Sequence, residues 1–69
     1  MRNMDDTEKT IHLTDSVTND GAVLVIRMIG ENIGICLSLE HDGDVELFLD
    51  PADFRRVSAT LKQIADRLP

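Results

Sequence analysis

The dipeptide Asp50-Pro51 divides the chain between two hydrophobic periods, and that switch limits the possible folds more than any other feature. Before it, Ile35, Leu37 and Leu39 alternate with Cys36, Ser38 and Glu40, and Val45, Leu47 and Leu49 alternate with Glu46 and Phe48. A period of two sends successive side chains to opposite sides of an extended backbone, so these runs predict two half-buried strands. After it, Phe54, Val57, Leu61, Ile64, Ala65 and Leu68 recur three and four apart, which lines them along one side of a helix about four turns long. Asp50 is placed to accept the first free helical amides, and Pro51 stands at the first helical position, where its missing N–H costs nothing. Asp53 faces the positive end of the helix dipole. Arg55, Arg56, Lys62, Gln63, Asp66 and Arg67 fall mostly off the apolar stripe.

Upstream, Ala22 to Ile29 is rich in β-branched residues and apolar on both sides: Val23, Val25 and Arg27 would point one way, Ala22, Leu24, Ile26 and Met28 the other. That pattern predicts a central strand covered on both faces. Thr10 to Thr14 alternates as a short strand with Ile11 and Leu13 on one face and His12 on the other. Thr18-Asn19-Asp20-Gly21 reads as a turn in which Gly21 takes any positive φ. Gly30-Glu31-Asn32 breaks the central strand, Gly34 marks the end of that loop or a bulge, and Asp42-Gly43 predicts a type I′ hairpin with positive φ at both positions. The expected fold is α+β, a three- to four-stranded antiparallel meander followed by one C-terminal amphipathic helix packed on one sheet face, with helix stripe and strands sharing one core. Residues 1–9 are polar, acidic and aperiodic and predict a flexible tail, leaving a single small domain over 10–69.

At 69 residues, such a domain buries only about 60% of its unfolded surface. Cys36 is the sole cysteine, so neither an intramolecular disulfide nor a cysteine zinc site can reinforce it. Association is the remaining route to stability, and a homodimer is expected. The start of the chain has no apolar leader segment, and the longest apolar run, Ala22 to Ile26, is far too short to span a bilayer. A cytoplasmic protein without membrane contact is the expectation, which one free thiol also fits.

The net charge is −6, made of −8 over residues 1–50 and +2 over residues 51–69. Such a balance disfavours non-specific binding to nucleic acid or anionic lipid. Glu40-His41-Asp42-Gly43-Asp44 is the densest group of metal-ligand types, but its spacing departs from the EF-hand loop and hairpin chemistry accounts for it. Cys36 with His12 or His41 would be the elements of a nucleophilic pair, yet Cys36 lies within a strand, without a helix N-terminus or a basic neighbour in sequence. Glycines 21, 30, 34 and 43 do not compose a phosphate-binding loop. The sequence therefore predicts no catalytic residues, no metal and no cofactor.

What the sequence does predict is an interaction surface. The sheet face away from the helix is expected to gather Cys36, Ser38, Glu46 and Phe48 with Leu24, Ile26 and Met28 of the central strand, more apolar than a monomer leaves wet. A noncatalytic protein-interaction or regulatory module, homodimeric, is the leading expectation. The segment from Glu46 through Leu49-Asp50-Pro51 to Ile64 resembles the last strand and helix of the PC4-type transcriptional coactivators, in which a curved antiparallel sheet leads to a dimerising helix. The resemblance implies that fold, dimerisation, and an alternative function as a single-stranded nucleic-acid binder using Arg27, Phe48, Arg55 and Arg56. The sheet departs from that family in being acidic and nearly free of aromatics. A third reading is an acidic nucleic-acid mimic presenting Asp15, Asp20, Glu31, Glu40, Asp42, Asp44 and Glu46 to a basic partner.

Overall fold

The computed structural model describes residues 8–69, and the expected tail lies outside the described residues except for Glu8 and Lys9. Four strands, β1 (Glu8–Thr14), β2 (Gly21–Ile29), β3 (Asn32–Leu39) and β4 (Gly43–Leu49), precede one helix, α1 (Pro51–Ala65). The strands form a single antiparallel sheet in the order β1-β2-β3-β4, a meander followed by a C-terminal helix that contacts the sheet. Strand β1 starts two residues before the expected Thr10, because Glu8 and Lys9 pair with Arg27 and Ile26 of β2.

The connections differ from the expected turn chemistry in instructive ways. Between β1 and β2 the positive φ falls on Asn19 (66°), not on Gly21, which already pairs with Thr14. The Asp15 carboxylate accepts from the N–H groups of Val17 (2.8 Å) and Thr18 (3.2 Å), and the Asp15 carbonyl accepts from Asn19 (2.8 Å). A loop held this tightly by one Asp lets Asn, a residue that tolerates the left-handed region, take the corner. Between β2 and β3 two residues suffice, with Gly30 at φ 60° in the first central position, as in a type II′ turn. At the β3–β4 tip Gly43 is left-handed (85°) and Asp42 is not, so the type I′ turn is not formed. Leu39 instead pairs with Gly43 across three residues, the pattern of a turn closed by a left-handed glycine.

Gly34 is neither loop end nor bulge. It sits inside β3, paired with Arg27 and Phe48, and a Cβ there would lie 3.1 Å from Phe48 Cε1. The missing side chain is what lets the phenyl ring lie across the strand.

The cap of α1 forms as its sequence dictates: Asp50 Oδ1 accepts from the Asp53 N–H at 2.8 Å, and Pro51 opens the helix. The expected shared core does not close. Pro51, Asp53 and Phe54 are half-buried, but every residue from Arg55 onward is exposed and none in the helix is buried. Among the described residues Ala22, at 9% exposure, is the only buried apolar side chain.

Candidate interaction surface

Strand register decides which side chains share a face. Across β1–β4 the rows Ile11–Leu24–Leu37–Val45 and Ile26–Ile35–Leu47, joined by Leu13, Ala22, Met28, Ile33, Leu39 and Leu49, compose one side of the sheet. Among the described residues Lys9 is its only charged member. The opposite side carries Thr10, His12, Val23, Val25, Arg27, Cys36, Ser38, Asp44, Glu46 and Phe48, a mixture of polar and apolar groups.

This register divides the surface expected from the sequence. Leu24, Ile26 and Met28 belong to the apolar face, whereas Cys36, Ser38, Glu46 and Phe48 belong to the mixed face. The face with the larger uncovered apolar area is therefore the one expected to lie under the helix. Alternation within each strand was legible, but the offset between strands depends on turn lengths, and a shift of one residue exchanges the two sides.

Uncovering is extensive on the apolar side. Val45 is 68% exposed and Leu47 54%, with Ile11, Leu13, Leu37 and Met28 also exposed. On α1 and just beyond it, Val57, Leu61, Ile64 and Leu68 are exposed as well, Leu61 at 64%. The spacing of these helix positions is legible in the sequence; how much of each stays exposed is not. Where the two elements meet, Pro51, Phe54 and Arg55 border a groove of about 550 Å³ with Ile26, Met28 and Ile33. Its floor is apolar, and Lys9, Arg27 and Glu31 stand at its margin.

The mixed face is internally satisfied. The Arg27 guanidinium of β2 reaches across β3 to Glu46 Oε2 of β4 at 3.0 Å, and Cys36 Sγ lies 4.0 Å from Ser38 Oγ. Of the residues implied for nucleic-acid contact, Arg27 and Phe48 share this face, Arg55 stands by the groove, and Arg56 pairs with Asp53 at 3.5 Å. No single face brings the four together. Four of the seven acids considered for mimicry are engaged within the chain: Asp15 by its loop amides, Asp20 by His41, Glu40 by the Gly21 N–H at 2.8 Å, and Glu46 by Arg27. The two amides of Val17 and Thr18 also hold the Asp15 carboxyl below its ordinary pKa.

The Cys36–His12 grouping does not assemble, and the run from Glu40 to Asp44 does so only in part. The register sets His12 two strands and one row away from Cys36, about 12 Å by strand and residue spacing. In place of the run from Glu40 to Asp44, the exposed tip gathers Asp20, Glu40 and His41, with His41 Nδ1 3.3 Å from Asp20 Oδ2. Asp20 joins because the β1–β2 loop lies beside the β3–β4 tip, a proximity with no signal in local sequence. Among the described residues no helix is long and apolar enough to cross a membrane. No known protein family, curated protein or solved structure matches this chain.

Proposed function

We propose that the protein is a small noncatalytic interaction module that works as a homodimer in the cytoplasm. One observation carries this reading: apolar side chains from all four strands on one sheet face, Ile11, Leu13, Met28, Leu37, Val45 and Leu47, and an apolar helix stripe are left exposed in the single chain. Exposed patches of this extent on soluble proteins serve as binding surfaces. A chain with neither disulfide nor buried helix gains from association the burial it cannot achieve alone.

Light scattering over a concentration series tests the reading. The expected result is a mass twice the 7.7 kDa of the chain at micromolar concentration. A monomer at every concentration sinks it. A fluorescent single-stranded oligonucleotide in a parallel sample tests the coactivator-like alternative, which requires binding that weakens steeply with salt.

A further inference from the structure

We propose that the dimer is reciprocal, with the α1 stripe of each copy seated on the apolar sheet face of the other. The inference rests on the homodimer reading and specifies its interface. Pairing helix with helix would leave both sheet faces wet, and pairing sheet with sheet would leave both stripes wet. Only helix on sheet, exchanged between two copies, covers Leu24, Leu37, Val45 and Leu47 together with Val57, Leu61, Ile64 and Leu68 by a single kind of contact. Such an exchange is isologous and closes on itself, so it stops at two chains.

Dimensions agree. Fifteen helical residues span about 22 Å, and strands of seven to nine residues span about 23–30 Å, so a helix laid along the strands is matched in length to the face. Area agrees as well. The chain exposes 5951 Å², whereas a compact monomer of 7.7 kDa exposes about 4300 Å². Even with residues 1–7 counted at the unfolded maximum of about 1250 Å², the remainder stands about 700 Å² above expectation for its own mass. A standard interface removes about 800 Å² per partner.

Charge favours the same pairing. Residues 8–50 carry nine acids and two bases, while residues 51–69 carry four bases and two acids. Arg56 and Lys62 are paired along the helix with Asp53 and Asp66, leaving Arg55 and Arg67 without an ion-pair partner among the described residues. The helix of one copy is thus net positive, and although the face it lies on carries Lys9, the turns at the ends of that face carry Glu31 and Asp42.

Disulfide trapping between two differently tagged full-length chains tests the arrangement. Both carry Cys36→Ser; one adds Leu61→Cys, and the other adds Leu37→Cys, Val45→Cys or Leu47→Cys in turn. Circular dichroism and light scattering first establish that each chain is folded and what its mass is. The expected result is a mixed-tag disulfide between Leu61→Cys and at least one sheet position, in more than half of the heterodimers. A dimer that cross-links only Leu61→Cys to Leu61→Cys, or only sheet to sheet, overturns the reciprocal arrangement while the homodimer stands. A dimer with no cross-link overturns it too. If the Cys36→Ser parent is itself a monomer at every concentration, both readings fall together.

Discussion

The two faces of the sheet are built from the same four strands and differ in how their side chains are satisfied. On the mixed face, Arg27 meets Glu46, Phe48 lies over Gly34, and Cys36 sits near Ser38, so much of what is exposed already has a partner within the chain. On the opposite face, aliphatic side chains from all four strands are aligned and the helix covers only one corner of them. A face whose groups satisfy one another can remain in water at little cost; a continuous aliphatic face cannot, because water gains from its removal roughly in proportion to area. The difference is why the proposed dimer is built on the aliphatic face.

The sharpest way to break this contrast is to place charge on the aliphatic face. Val45→Asp or Leu61→Asp is expected to weaken dimerisation by about 30-fold or more, roughly 2 kcal/mol, as truncating the centre of an interface does. Sedimentation equilibrium reads this directly, and an unchanged dimer would show that the face is not used. Gly43→Ala should cost about 1–2 kcal/mol of folding stability, since the residue holds φ 85°, and should lower the thermal midpoint without altering the face composition. Asp50→Ala removes the acceptor of the Asp53 N–H and should cost about 1 kcal/mol, seen as lost helicity.

Smaller effects belong to the mixed face and the loops. Gly34→Val pushes the Phe48 ring outward and should cost about 1 kcal/mol while leaving the mass of the dimer unchanged. Arg27→Ala breaks a half-exposed ion pair, so less than about 1 kcal/mol is expected, shrinking further in high salt. The smallest effect is set by Asp15. Its carboxyl titrates below the ordinary value in the folded chain, so its stabilising contribution is present above that value and is lost as pH falls through the lowered one. Urea midpoints measured between about pH 5 and pH 2 should fall less steeply for Asp15→Asn than for the parent.

Much of the fold is legible residue by residue. Asp50, Pro51 and Asp53 announce the helix start, and the alternation of Ile35-Leu37-Leu39 and Val45-Leu47-Leu49 announces two strands on either side of a tip. The turn conformations were less legible. Asn19 rather than Gly21 is left-handed because the amide network around Asp15 chooses the corner, and Asp42 avoids positive φ because the loop is one residue longer than a type I′ turn needs. The interface set expected from the sequence merges two faces, because Leu24 and Cys36 belong to strands whose relative offset is carried by the Gly30-Glu31 turn and not by either strand alone.

The sequence by itself determined the elements and the amphipathic character of each, because period and capping act through neighbours a few residues apart. The tertiary structure alone decided which apolar sides coincide and whether they cover one another. Register aligned the aliphatic side chains of all four strands on a single face, and α1, exposed from Arg55 onward, leaves much of that face and of its own stripe open. Burial is a relation between segments distant in the chain, so no local pattern in either segment contains it.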